Sequence, residues 1–165
     1  MTAATRIAFA GLTCALSALA VPASAQTITH KDISVDAAVI IATTAMADCK
    51  AKGWPVSVAV VGRAGELLVH IRGDGAGPHT MDNSFRKAYT ARTTRQPSGE
   101  LAKRLKADPQ LSLVTLPNMV AAQGALPIKI GDDVIGAAGA SGAPGGEKDE
   151  ACIQTGLDKV KDQLK

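Results

Sequence analysis

The side chains best suited to chemistry lie in one stretch, Arg72 to Arg95, which reads RGDGAGPHTMDNSFRKAYTARTTR. It holds His79, Asp82, Tyr89 and the cations Arg72, Arg86, Lys87 and Arg92. A histidine in a loop that opens a helix can offer a ring nitrogen to a metal or substrate, or act as a general base near neutral pH. Asp82, three residues on, adds a carboxylate for a metal, and Tyr89 or Arg86 could steady a substrate. No standard catalytic signature accompanies them: the chain has no GxSxG elbow, no HExxH and no CxxC.

The local pattern around these residues predicts how they are held. Gly73, Gly75 and Gly77 alternate ahead of Pro78, a composition that lets backbone approach a ligand closely. Thr80 is the expected N-cap of the following helix, on which Met81, Phe85, Ala88 and Tyr89 recur at helical spacing and predict a buried face. Arg86, Lys87 and Arg92 fall on the opposite, solvated side.

The flanking elements are legible from period and punctuation. Val35, Ala38, Val39, Ala42, Met46 and Cys49 predict a helix over Ser34 to Lys52, capped by Asp32 or Ser34 and ended by Gly53. Val56 to Val61 and Glu66 to Ile71 read as strands joined by Arg63-Ala64-Gly65. On the second, strict alternation puts His70 with Leu68 and Glu66, and Leu67, Val69 and Ile71 on the other face. His70 is therefore expected to be a partly buried sheet residue.

Ser98 to Lys106 reads as a short helix capped by Ser98, and Pro109 to Gln123 as an irregular segment lining a pocket. A second hairpin follows, with Leu126, Ile128 and Ile130 alternating, Gly131-Asp132-Asp133 as the turn, and Val134 to Ala140 as the last strand. That strand is so rich in small residues that something must pack very close to it. Ile153, Leu157, Val160 and Leu164 mark a terminal helix. The fold class is α+β: an antiparallel sheet of at least four strands with helices packed on it, the terminal helices together on one face.

The run Ser141-Gly142-Ala143-Pro144-Gly145-Gly146 before the terminal helix invites a phosphate-binding reading. Its spacing is neither GxGxxG nor a Walker loop, and Glu147, Asp149 and Glu150 in the first turn would repel an anion. A tight strand-to-helix connection is the expectation.

Composition bounds the setting. One early Arg6, an apolar run from Ile7 to Val21 and the Ala23-Ser24-Ala25 site match a secretory leader cleaved near Ala25. The run is shorter than the roughly 20 residues of a spanning helix. The mature chain, residues 26–165, is long enough for a single domain, and the expected location is periplasmic or secreted. Its slight positive balance argues against a dedicated nucleic-acid binder. Cys49 and Cys152, the two cysteines beyond the leader, form a disulfide or remain buried thiols.

The segments VSVAVVGRAGELLVHIRGDGAGPHTMDNSFRKAYTA and LPIKIGDDVIGAAGASGAPGGEKDEACIQTGL together resemble the GlcG/HbpS family of heme-binding proteins, to which the C-terminal domain of PduO proteins also belongs. The most specific pieces are RGDGAGP, RKAYTA, SGELAKRL and SGAPGG. The resemblance implies a compact domain assembled into a homo-oligomer with heme as cofactor; heme degradation and a sensor or membrane protein partner are compatible with it but not implied by it.

In that light His79 or Met119 would approach heme iron, and Arg72, Arg86 and Lys87 would pair with propionates. Met81, Phe85, Tyr89 and Met119 would form apolar walls. An iron-binding relative carries an acidic pair three apart on this helix; Asp82 matches the first acid and Phe85 replaces the second. The residues also fit two other functions: an enzyme acting on a small organic acid or on heme, with His79 as base, or an oligomeric accessory module whose basic face meets an acidic partner.

Overall fold

The computed structural model describes residues 26–165, so the leader expected over residues 1–25 lies outside the described residues. Four helices and four strands follow in the order α1 (Val35–Ala51), β1 (Ser57–Val61), β2 (Leu67–Arg72), α2 (His79–Thr94), α3 (Gly99–Ala107), β3 (Ala125–Ile130), β4 (Asp133–Ser141) and α4 (Gly146–Val160). The strands form one antiparallel sheet in the order β2-β1-β4-β3. The α+β architecture is the one the sequence predicts.

Helices α1 and α4 lie together on one face of the sheet, and α2 covers the other. Ser34 caps α1 by accepting from the Ala37 N–H at 3.2 Å, and Gly53, at φ +77°, turns the chain out of it. Asp32 is not the cap; its carboxylate accepts from the Ile33 and Arg63 N–H groups. The buried side of α1 is Ala37, Ala38, Ile41, Ala42, Ala45 and Cys49, while Val35 and Val39 are exposed. The predicted apolar stripe is thus rotated, because α4 packs against the small side of α1. Cys49 and Cys152 form a disulfide that clamps the two helices with a Cα separation of 5.6 Å.

The small residues of β4 do what their size predicts. A Cβ at Gly139 would sit 2.6 Å from the Ser84 carbonyl oxygen and 2.8 Å from the Ala88 nitrogen, so α2 rests directly on the strand backbone. At that contact only small side chains such as Ser84 and Ala88 fit, and the other buried residues of α2 are Thr80, Lys87, Thr90 and Ala91. Met81, Phe85 and Tyr89, expected to form the buried face, are displaced to a half-buried flank.

A β-bulge between β1 and β2 changes a second expectation. Val60 pairs with Val69 and Val61 with Leu67, so Leu68 packs with Val69 and Ile71 against the α1 side. His70 keeps to the α2 side. Among the described residues no helix is long and apolar enough to cross a membrane.

Candidate functional site

Two glycine-rich loops far apart in sequence meet at one end of the sheet. The loop from Gly73 to Pro78 leads into α2, and the loop from Gly142 to Gly145 leads from β4 into α4. Between them lies a cleft of about 360 Å³, within the rough range of small-molecule sites, about 300–1,000 Å³. Its rim carries His79 and its walls include Thr80, Asn83, Ser141 and Asp149, with Lys87 at the base. Gly142 is required there: at φ +129° a side chain would be strained, and its Cβ would lie 2.3 Å from the Pro55 carbonyl oxygen.

The polar groups of the cleft are buried and connected. The Lys87 ammonium donates to Asp149 Oδ2 at 2.8 Å and to the Ala140 carbonyl at 3.2 Å. Asp149 Oδ1 accepts from the Ala143 N–H at 3.1 Å, so the carboxylate ties the glycine loop to the base of the cleft. Lys87 is 4% exposed and Asp149 2%. Burial pushes the Asp149 carboxyl above its ordinary value, against the pull of the Lys87 charge.

Above the pair, Asn83 Nδ2 donates to Ser141 Oγ at 3.0 Å. Thr80 spends its proton on the Gly77 carbonyl at 2.7 Å, so in its 2.7 Å contact with Ser57 the Ser57 hydroxyl donates. Thr80 is therefore not the N-cap of α2. Pro78 holds that position, and neither Pro78 nor Gly145, the N-cap of α4, supplies a capping side chain. Both helices direct the positive ends of their dipoles toward the cleft.

The residues singled out in sequence are distributed over three places. His79 is exposed at the cleft rim and Lys87 is at its base, not on a solvated basic face. Asp82 lies on the exposed first turn of α2, 3.7 Å from Arg86. Arg72 folds its guanidinium over the Ala76 carbonyl, through Nε at 3.0 Å and through Nη2, and so closes the glycine loop on itself.

A second group sits along the far part of α2. Met119 is 1% exposed, with its sulfur accepting from Thr90 Oγ1 at 3.9 Å. Arg86 donates to the Met119 carbonyl at 2.8 Å, and the Val120 N–H donates to Thr90 Oγ1 at 3.0 Å. Of the segment expected to line a pocket, Met119 and Val120 are strapped across α2. Ser98 holds the N-cap position of α3 as expected, but its hydroxyl accepts from the Ala125 N–H at 3.0 Å rather than from the helix.

Tyr89 forms the third group. Its ring covers Gly65 of the β1–β2 turn, and its centroid is 6.0 Å from that of Phe85. Met81 and His79 are two residues apart, about 200° around the helix, so the Met81 side chain and the exposed imidazole leave α2 on opposite sides. His70, beneath this flank, donates its Nε2 proton to the Met81 carbonyl at 2.9 Å, and burial pushes its pKa down. Arg92, expected on a solvated face, buries its Nε without a hydrogen-bond partner; burial and repulsion from Arg63 and Arg95 lower its pKa.

Asn83 and Ser57 carried no signal in the sequence, and Ser141 and Asp149 were read only as parts of a tight connection and an acidic first turn. The available signal was Asp149 just beyond the SGAPGG loop, but an acidic first turn is ordinary helix chemistry. Among the described residues no group of three His, Cys, Asp or Glu side chains is placed to hold a metal ion.

Comparison with known proteins places the geometry in a family. A Citrobacter freundii protein of 15.0 kDa, encoded in the dhaT-dhaS intergenic region, is 36% identical over 107 residues, covering 63% of this chain and 75% of that one. The crystal structure of a Streptomyces reticuli HbpS double mutant is 34% identical, with a TM-score of 0.79, covering 87% of this chain and 97% of that one. A PduOC:heme complex has the same fold, at 21% identity and a TM-score of 0.71, covering 78% of this chain and 94% of that one. Residues 33–158 match the family described as haem degrading protein HbpS-like, and the chain belongs to that family.

Proposed function

We propose that the protein is an exported, oligomeric heme-binding protein that stores, carries or senses heme. The observation that carries this reading is the match of residues 33–158 to a haem-degrading family, supported by a relative of the same fold in complex with heme. The buried Cys49–Cys152 disulfide supports an oxidising compartment, in keeping with a leader cleaved near Ala25.

His79 is the proposed iron ligand, because its ring is exposed beside a concave surface while the His70 ring is engaged by Met81 and Ser84. Arg72 and Arg86 are the proposed partners of the propionates. Lys87 reaches a ligand only through the cleft, and Met119 reaches iron only if its segment lifts from α2. Met81 leaves α2 opposite His79, and Tyr89 is engaged over Gly65 and beside Phe85, so we assign the apolar contacts of a macrocycle held by His79 to another subunit of the homo-oligomer.

The test is a hemin titration followed by absorbance, with the size of the protein in solution measured alongside. A saturating Soret shift at about one heme per subunit is expected, altered in position by His79→Ala. Non-saturating association would remove the heme reading; an unaltered spectrum in His79→Ala would remove the ligand assignment.

A further inference from the structure

We infer that the cleft between the two glycine loops is a carboxylate-binding site, made by Asn83, Ser141, Lys87 and the first turn of α2. It takes either a free small hydroxy acid or a carboxylate arm of a larger ligand.

The cleft holds more donors than its own acceptors use. Lys87 carries three ammonium protons, and two are taken by Asp149 and the Ala140 carbonyl, leaving one. Ser141 is 3% exposed and accepts from Asn83, which leaves its own hydroxyl proton to donate. Asn83 Nδ2 has a second proton beyond the one given to Ser141, and its amide oxygen can accept from a ligand hydroxyl. His79 adds a ring nitrogen at the rim. A group with several lone pairs and an adjacent hydroxyl matches this set.

The charges decide where the carboxylate lies. The exposed Glu147 bends toward Gly145 and so occupies the α4 side, and Asp149 is neutralised by Lys87 and the Ala143 N–H. The α2 side has no such competitor within the cleft: Pro78 brings no capping side chain, and the first-turn acid, Asp82, is exposed and 3.7 Å from Arg86. A ligand carboxylate is therefore received at the α2 N-terminus beside His79, with its second oxygen, or the adjacent hydroxyl of a hydroxy acid, toward Asn83 and Ser141. Buried polar residues that are already cross-linked cost little further ordering on binding.

The free-acid source rests on the cleft alone, whereas the arm of a larger ligand rests on the heme reading. The test uses the intact protein and two pairs of probes: L-lactate against propane-1,2-diol, and hemin against hemin dimethyl ester. Amide NMR shifts and titration isotherms are recorded for wild type, Asn83→Leu and Ser141→Ala, with unchanged remote amide shifts as the folding control. Saturating lactate shifts confined to the cleft, absent with the diol and weakened at least tenfold in Asn83→Leu, establish a free-acid site. Hemin binding at least tenfold tighter than its dimethyl ester, with the difference lost in Asn83→Leu and no lactate shift, assigns the site to a propionate. If lactate gives no cleft shift and hemin and its ester bind equally, the inference is overturned while heme binding stands. Lactate binding without hemin binding does the opposite, removing the heme reading and leaving the carboxylate site established. Should Asn83→Leu fail the folding control, Ser141→Ala carries the same comparisons.

Discussion

Lys87 Nζ stands 2.8 Å from Asp149 Oδ2, and the two side chains, from helices on opposite faces of the sheet, are almost wholly buried. Removing one partner strands the other charge in a site that cannot hydrate it. Lys87→Met is expected to destabilise the fold by about 3–5 kcal/mol. Adding Asp149→Leu should recover much of the loss, and urea unfolding of wild type, Lys87→Met, Asp149→Leu and the double variant measures the coupling directly.

The disulfide should be the largest covalent contribution to stability. It closes a sequence separation of 103 residues between α1 and α4, so its loss frees a long loop in the unfolded chain. Cys49→Ala with Cys152→Ala is expected to cost about 2–5 kcal/mol. Thermal melts with and without reductant should separate for wild type and coincide for the double variant.

Close contact between α2 and β4 leaves no room at Gly139. A methyl there meets the backbone at Ser84 and Ala88, which cannot move aside as a flexible side chain would. Gly139→Ala should therefore destabilise by about 1–3 kcal/mol. The cleft residues on α2 should shift with it, visible as amide shift changes at Thr80 and Asn83.

His70 sets an acid-side dependence. Burial lowers its folded pKa below 6.5, opposed by the Met81 carbonyl and Asp82. The unfolded chain then binds more protons just below pH 6.5, so the stability from a neutral His70 is complete above that value and falls as pH drops toward the folded pKa. His70→Gln should flatten this part of the stability-versus-pH curve, measured by denaturant midpoints. Asp149, whose folded pKa is raised, contributes with the opposite sign: relative stability rises as pH falls through its folded pKa, to a limit below the unfolded value of 3.8.

Met119 separates a core role from a ligand role. Its side chain is enclosed against Thr90, so Met119→Ala should cost about 2–5 kcal/mol whatever it does to heme. Met119→Leu, close in volume, should restore stability. A Soret band unchanged in the leucine variant would confine Met119 to packing.

Short-range pattern was enough for the elements themselves. The helix from Ser34, both hairpins and the terminal helix follow from caps, glycines and period, because each depends on neighbours a few residues away. It also flagged the glycine loop, His79 and the small residues of β4 as signs of close approach. Pattern misled where a facing surface chose which side to bury. On α2 the apolar residues Met81, Phe85 and Tyr89 were the natural inward face, yet the bare backbone of β4 at Gly139 sits directly against the small residues Ser84 and Ala88. The bulge at Leu68 shifted the strand alternation for the same kind of reason: twist and pairing with β1 belong to the sheet, not to the strand.

The sequence by itself determined which elements form, the α+β class and the glycine-rich loops that could shape a site. Tertiary structure alone decided that these loops face each other, that Lys87 is buried, and that Asp149, 62 residues away, neutralises it. The physical reason is that a charge is buried only where its partner comes within hydrogen-bonding distance, and that distance is set by the sheet that carries both helices.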